Sequence, residues 1–278
     1  MDRLVWQVKR LLAEFGVKPR RRLGQSFMVD ATLLERLADY GEVSSSDRVL
    51  EVGGGLGFLT EVLARRAGKV LTVEADPKLF RLLQRKFKGR ANVELIFGDF
   101  LKLNLAGRYD KVVSNPPYSI SSPLIFKILE APFRLAVLTL QQEFAERMVA
   151  RPGSHSYGRL TVTAYYWADV EILEKISKDS FYPKPEVDSV VVRLKPRSKP
   201  PFKLEDYSFF SEVVKLLFSQ RRRKLSKALQ TLSKLKPELK LVKPYREIPY
   251  LERRVFTLSP EEFAEISNVL WRLSRGET

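Results

Sequence analysis

The sequence contains no cysteine and only one histidine, His155, in 278 residues. Without cysteine there is no disulfide framework, no thiolate nucleophile and no cysteine-built zinc site. A single histidine argues against a Ser-His-Asp triad and against histidine-rich metal ligation, so we expect no metal site. No apolar run approaches the roughly 18 residues of a membrane span, and the first residues form a charged amphipathic pattern rather than a signal peptide. These absences predict a cytoplasmic protein with no membrane partner.

Acidic residues are also comparatively few. Lys and Arg total 49 against 33 Asp and Glu, which gives a formal net charge of +16 at pH 7. This excess is larger than solubility alone requires. It predicts a polyanionic partner.

Short apolar runs alternate with longer amphipathic segments through the first half of the chain, a pattern typical of a mostly parallel sheet covered by helices. Two further apolar runs follow and are expected to close the sheet as an antiparallel pair. The sequence thus predicts an α/β, Rossmann-like fold with a mostly parallel seven-stranded sheet. The seven expected strands are 49–52, 70–74, 93–97, 111–114, 135–140, 170–176 and 187–194.

A change of composition at 195–201 marks an expected domain boundary, because three prolines and three basic residues replace the apolar pattern there. We therefore expect one domain over 1–195 and a small all-α, basic domain over 196–278. Its helices are predicted at 207–218 and 220–235, with a last helix that opens at Ser259 with a capping box.

A glycine-rich turn follows the first of these strands, with Gly53, Gly55 and Gly57 ahead of a helical pattern. Such a turn lets a ligand approach the backbone closely, although it can also be a plain tight connection. Glu74 ends the next strand, where a carboxylate can accept both hydroxyls of a ribose. Asp99 ends the third strand, placed to accept from an adenine amino group, and Phe100 can pack on that ring. The G-x-G-x-G spacing favours S-adenosylmethionine over NAD.

The most specific motif is Asn115-Pro116-Pro117-Tyr118 at the end of the fourth strand. Proline cannot donate a hydrogen bond, so the turn leaves carbonyl oxygens free beside the oxygen of Asn115 and the flat face of Tyr118. These groups suit an exocyclic amine, whose hydrogens need acceptors before its nitrogen can attack a methyl group. Phe181, in a proline-punctuated loop, is either a second aromatic wall for such a base or a core residue.

Together these segments closely resemble the ribosomal RNA adenine dimethyltransferases of the kasugamycin-sensitivity type, over nearly the whole chain from about residue 20. The resemblance is carried by the segments LGQSFMVD at 23–30, LEVGGGLG at 50–57, EAD at 74–76, GD at 98–99, NPPY at 115–118, FYPKPEVDS at 181–189 and FSQRRRK at 218–224. The family usually has Asn or His at the position of Ser26 and Leu at the position of Met28.

The resemblance implies a class I methyltransferase fold and transfer of two methyl groups from S-adenosylmethionine to N6 of each of two adjacent adenosines, in a hairpin loop near the 3′ end of small-subunit ribosomal RNA. It also implies an immature small ribosomal subunit as partner, and we expect a monomer. Carried over by motif, Tyr118 and Phe181 would sandwich the flipped adenine, and Asn115 with Pro116 would contact its amine. The expected cofactor-binding residues are Gln25, Ser26, Met28, Gly53, Gly55, Glu74, Ala75, Asp99, Phe100 and Asn115.

Two arginine clusters are the expected RNA contacts, given the charge balance and the resemblance. They are Arg20, Arg21 and Arg22, and Arg221, Arg222, Arg223 and Lys224. Two other functions remain open: an amino methyltransferase acting on DNA or a protein glutamine, and a non-catalytic factor that binds ribosomal RNA during assembly. The first would need a different target-recognition domain, and the second is disfavoured by the intact motifs.

Overall fold

The computed structural model describes residues 2–19, 25–235 and 247–275. The predicted RNA contacts Arg20, Arg21 and Arg22 therefore lie outside the described residues. The chain divides into two compact units, one of Met1–Ala145 with Val170–Pro196 and one of Glu146–Asp169 with Arg197–Thr278.

The first unit is built on a seven-stranded sheet, as the sequence predicted, with strand order β4-β3-β2-β5-β6-β9-β7. Strands β2 to β6 pair in parallel, and β9 pairs antiparallel with β6. A separate two-stranded antiparallel sheet, β1 with β8, was not predicted. The strands are β1 (Phe27–Met28), β2 (Arg48–Val52), β3 (Lys69–Glu74), β4 (Val93–Phe97), β5 (Lys111–Ser114), β6 (Leu135–Gln141), β7 (Ala168–Ile176), β8 (Phe181–Tyr182) and β9 (Ser189–Pro196).

Helices cover this sheet, and central strands such as β5 are buried along their whole length, as expected for parallel strands with two covered faces. Asp30 and Asp76 cap the starts of α2 and α4 by accepting backbone N–H groups. The helices are α1 (Asp2–Glu14), α2 (Ala31–Tyr40), α3 (Phe58–Arg66), α4 (Pro77–Lys86) and α5 (Ser121–Leu129). A further helix, α6 (Gln142–Met148), begins in the first unit and ends in the second.

The second unit is helical, with α7 (Arg159–Trp167), α8 (Tyr207–Ser219), α9 (Leu225–Leu235) and α10 (Pro260–Arg275). The predicted capping box is present, because Ser259 N donates to Glu262 Oε2 at 2.8 Å and Glu262 N to Ser259 Oγ at 3.2 Å. No helix among the described residues is both long enough and apolar enough to cross a membrane.

Two boundaries differ from the sequence-based expectation. Residues 146–169 belong to the helical unit rather than to the first domain of 1–195, because Tyr157 and Val162 are buried in one apolar cluster with Phe210 of α8. The helix expected over 220–235 begins only at Leu225. The basic residues before it lie in a turn, where Arg223 N donates to Gln220 O at 2.8 Å.

Candidate active site

A crevice opens where the strand order reverses, between the carboxyl ends of β2 and β5. The backbone pairing of β2 with β5 ends at Leu50 and Val112. Beyond that pair, the Ser114 side chain, rather than the backbone of β5, bonds the backbone of Val52. Its hydroxyl donates to Val52 O at 2.6 Å and accepts from Val52 N at 3.2 Å. This buried side chain separates the two strand ends, and ligands of open α/β sheets bind at such a reversal.

Two adjoining clefts, of about 610 and 960 Å³, lie at these strand ends and share Gln25, Gly53, Glu74 and Pro117. Gly53 has φ +84°, and a Cβ there would lie 3.1 Å from Pro117 Cδ, so the turn requires glycine. Each of the ten predicted cofactor-binding residues lines at least one cleft. The first cleft contains Gln25, Ser26, Met28, Gly53, Gly55, Glu74 and Asn115, and the second contains Gln25, Gly53, Glu74, Ala75, Asp99 and Phe100.

Glu74 lies at the junction of the two clefts and is only 7% exposed. One carboxylate oxygen accepts from Gly55 N and the other from Asp76 N, both at 2.8 Å. Burial nevertheless raises the pKa of this carboxyl. A carboxylate has about four acceptor sites, more than these backbone bonds fill, so the group can still accept a ribose hydroxyl.

Phe100 and Asp99 form one wall of the second cleft. Asp99 Oδ1 accepts from Leu101 N at 3.0 Å, which leaves its other oxygen available to a ligand. Lys127 fixes this turn from behind: its Nζ donates to Phe100 O and Leu101 O at 2.8 Å and lies 5.1 Å from the Phe100 ring centroid. Sequence reasoning missed Lys127, because nothing in its local pattern distinguishes it from a surface lysine of α5.

Asn115 and Pro116 line the first cleft at the end of β5. The buried Thr139 hydroxyl on β6 donates to Asn115 Oδ1, which fixes the direction of the amide and leaves that oxygen one lone pair. Pro116 is buried, yet no donor within the described part of the chain reaches its carbonyl oxygen. Buried carbonyls normally have partners, and because Pro116 lines the first cleft, this carbonyl is the candidate acceptor for a ligand there.

Tyr118 and Phe181 occupy different environments. Tyr118 is half-buried, its hydroxyl bonds Ser189 Oγ, and burial raises its pKa to about 12, so the phenol stays neutral and is no general base. Phe181 is 2% exposed and packs with Met28 and Leu33 in an apolar core cluster of the first unit. Of the two interpretations open for Phe181, the structure therefore supports the core residue. Neither Phe181 nor Tyr118 lines either of the two clefts.

A carboxyl that sequence reasoning missed, Glu51, also lines the first cleft. It is 2% exposed and accepts from Thr60 Oγ1 at 2.6 Å and from Thr72 Oγ1 at 2.9 Å. Burial raises its pKa from 4.5 to about 8. The available signal was an acidic residue within an otherwise apolar strand directly before the glycine turn.

The second arginine cluster is less uniform than the sequence suggested. Arg221 is half-buried, and its guanidinium donates to His155 O at 3.0 Å and stacks 5.7 Å from the Phe256 ring. Lys224 is paired with Glu252 at 2.7 Å. Arg222 and Arg223 are exposed, and Arg223 also donates to a threonine hydroxyl, Thr231 Oγ1.

The residues of the clefts fit S-adenosylmethionine. The glycine turn leaves room for the backbone to approach a ligand, and the two acidic strand ends carry acceptors of the kind that ribose hydroxyls and an adenine amine would need. The cofactor would supply a methyl group activated by its sulfonium.

Comparisons with known proteins agree with this geometry. A family model described as ribosomal RNA adenine dimethylase matches residues 16–270. The probable ribosomal RNA small subunit methyltransferase A of Methanosarcina acetivorans is 46% identical over 268 residues, covering 96% of this chain and 98% of the relative. The protein of the same name from Thermococcus onnurineus is 42% identical, with 94% and 95% covered.

Two solved structures are also similar. A dimethyladenosine transferase from Plasmodium falciparum is 29% identical with a TM-score of 0.74, covering 89% of this chain and 98% of that one. The 23S rRNA methyltransferase ErmE is 28% identical with a TM-score of 0.64, covering 88% and 99%.

Proposed function

The chain belongs to the ribosomal RNA adenine dimethylase family, and we propose that it methylates N6 of two adjacent adenosines in a hairpin loop near the 3′ end of small-subunit ribosomal RNA. It is an S-adenosylmethionine-dependent enzyme that dimethylates adenine in ribosomal RNA. The expected family, α/β fold, cofactor and reaction are confirmed. A DNA methyltransferase or a non-catalytic assembly factor is correspondingly disfavoured.

One observation carries the proposed chemistry: an open carbonyl on Pro116 beside a fixed amide oxygen on Asn115. The N6 lone pair of adenine is delocalised into the ring, and two acceptors on its hydrogens favour the geometry in which that lone pair can attack. In this reaction the nitrogen–carbon bond would form as the bond from the methyl carbon to sulfur breaks, and a proton would then leave N6 for solvent. Catalysis needs alignment and charge complementarity rather than a strong base.

Tyr118 is proposed as the stacking wall for the flipped adenine, because its hydroxyl is anchored on Ser189 and its ring is only half-buried. Direct contact with the flipped adenine is not proposed for Phe181, since its ring is almost wholly buried. In the cofactor clefts, Glu74 is proposed to accept the ribose hydroxyls and Asp99 the adenine amine, with Phe100 packed on the adenine ring.

The immature small ribosomal subunit is the proposed partner, supported by the net charge of +16 and by the exposed Arg222 and Arg223. A monomeric state and a cytoplasmic location stay predictions from the sequence.

The test is transfer of labelled methyl groups from S-adenosylmethionine to an unmodified small subunit, with mass mapping of the product. Asn115→Ala should lower kcat by about 100-fold or more while RNA affinity stays unchanged. Thr139→Val, a near-isosteric change, should lower kcat less because it removes only the orienting hydrogen bond. Thr163→Val, a buried threonine of α7, is the matched control and should be neutral. Unchanged turnover in Asn115→Ala would refute the assignment, and methyl groups mapped to another nucleotide would refute the proposed target.

A further inference from the structure

A groove of about 1010 Å³ lies between the end of α1 and β8, outside the two cofactor clefts. Its walls include Lys9, Lys18, Tyr182 and Pro183, and we call it the Lys9–Tyr182 groove. None of these side chains is among the predicted catalytic or cofactor-binding residues. They nevertheless combine two features that nucleic-acid sites use, an accessible aromatic ring and unpaired positive charge.

The groove shares a wall with the first cofactor cleft. Phe27, which lines that cleft, pairs across the two-stranded sheet with Tyr182, which lines the groove. Ser26, also in the cleft, donates through Oγ to Pro183 O at 2.9 Å. Since paired strands lie about 5 Å apart, only the width of this small sheet separates the groove from the cofactor cleft.

The charges in the groove are available to a ligand. Lys9 and Lys18 are exposed, and neither makes an ion pair with any residue that the structure describes. Some lysines of the same unit are paired instead, for example Lys69 with Glu94 at 2.6 Å. Lys9 Nζ lies 5.5 Å from the Tyr182 ring centroid, so a cation and a ring face stand together.

Tyr182 is anchored as well as accessible. Its side chain is half-buried and packs against an apolar cluster that includes Val8 and Leu12 of α1. The same side chain also lines the groove. A ring held in this way can stack a base with little loss of side-chain freedom. Aromatic rings beside lysines recognise unstacked bases in single-stranded RNA, with the base on the ring and a phosphate on the ammonium.

We propose that the Lys9–Tyr182 groove binds the unpaired nucleotide adjacent to the adenosine being methylated, with its base on Tyr182 and its phosphate near Lys9 and Lys18. The inference rests on the proposed function: with two adjacent target adenosines, flipping one of them removes a stacking neighbour of the other, whose base then becomes available to a second site. A site one small sheet away from the cofactor cleft holds it there. The groove thus sets the register of the loop in the active site.

The test is a thermodynamic cycle of RNA binding by the full-length protein. Fluorescence anisotropy compares a hairpin that carries two adjacent loop adenosines with hairpins in which one nucleotide beside the target is abasic. Tyr182→Ala should weaken binding of the intact hairpin by about 10-fold, whereas Tyr182→Phe should bind like the wild type. On the hairpin that lacks the stacked base, Tyr182→Ala should bind with the same affinity as the wild type. An equal loss on intact and abasic hairpins would overturn the stacking assignment.

Tyr182→Leu keeps apolar bulk against the α1 cluster and separates a folding defect from lost stacking. It should bind the intact hairpin as weakly as Tyr182→Ala while unfolding at the temperature of the wild type. Wild-type affinity in Tyr182→Leu would refute the proposal.

The lysines are tested by salt dependence. Lys9→Ala and Lys18→Ala should each reduce the slope of log affinity against log salt by about 0.7, the value for one single-strand phosphate contact. Lys88→Ala is the matched control, since Lys88 is exposed and does not line the groove. Unaltered slopes in both groove variants would refute the phosphate contact. Because these assays measure binding, they distinguish failure of the groove from failure of the proposed methylation site, which only turnover reports.

Discussion

Glu51 provides a prediction whose size follows from its burial. In the unfolded chain this carboxyl ionises near its ordinary pKa of 4.5, whereas in the folded protein it ionises only near about 8. Between these values the folded state binds the additional proton, so the free energy of unfolding falls as pH rises. From pH 5.5 to 8 the loss is about 3 kcal/mol, at about 1.36 kcal/mol for each pH unit. The loss is complete only well above pH 8, where both states are ionised.

Glu51→Gln removes this effect, because the amide is neutral at every pH and can still accept from Thr60 and Thr72. The measurement is urea denaturation of both proteins from pH 5.5 to 8.5. The variant should gain about 3 kcal/mol relative to the wild type over that range and then level off. Glu94→Gln is the control: Lys69 and Arg108 lower the pKa of Glu94, so its effect should not change over the same range. Parallel stability curves for wild type and Glu51→Gln would refute the reasoning.

The same carboxyl gives a functional readout, because it lines the first cofactor cleft. S-adenosylmethionine carries positive charge on its ammonium and sulfonium, and a nearby cation favours the ionised carboxyl. Binding at pH 7 should therefore release a proton, and the calorimetric heat should depend on the ionisation enthalpy of the buffer. That dependence should disappear in Glu51→Gln. A buffer dependence that persists in the variant would assign the proton to another group.

Two further predictions concern positive side chains. Lys127→Met should weaken binding of S-adenosylhomocysteine by about 10-fold in calorimetry, since the turn of Phe100 loses its charged donor, and exposed Lys102→Met in the same turn should be neutral. Equal affinities in the two variants would contradict a positioning role for Lys127. Arg222→Ala should weaken RNA binding and flatten its salt slope without changing the unfolding temperature. Arg221→Ala should instead lower the free energy of unfolding by about 1–3 kcal/mol, because the Arg221 guanidinium bonds the His155 carbonyl. If Arg221→Ala weakened RNA binding and Arg222→Ala lowered the free energy of unfolding, the roles assigned to the two arginines would be wrong.

The elements that the sequence predicted best are those set by local pattern. Seven apolar runs became the seven strands of the main sheet, because hydrophobic periodicity reports directly on burial between helices. The ends of β2, β3 and β4 carry Gly53, Glu74 and Asp99 to the same edge. Parallel strands place their carboxyl ends together, so strand-end residues could be grouped into one site before any contact was known.

The features that the sequence did not predict depend on partners distant along the chain. Phe181 is compatible with a free aromatic wall until β8 pairs with β1 and buries its ring beside Met28. Thr139 lies on a different strand from Asn115, and only the parallel pairing of β5 with β6 joins their side chains. Such contacts are tertiary, so spacing along the chain carries no signal for them.

The basic turn at 221–224 illustrates why charge counts alone do not locate a binding surface. Four consecutive cations look equivalent in the sequence, yet their partners divide them. Arg221 bonds backbone carbonyls at 154–155, Lys224 pairs with Glu252, and Arg222 and Arg223 remain exposed. A cation that already compensates protein acceptors gains less from a phosphate, because binding must first replace those contacts. The electrostatic contribution of this turn to RNA binding should therefore come mainly from its two exposed arginines.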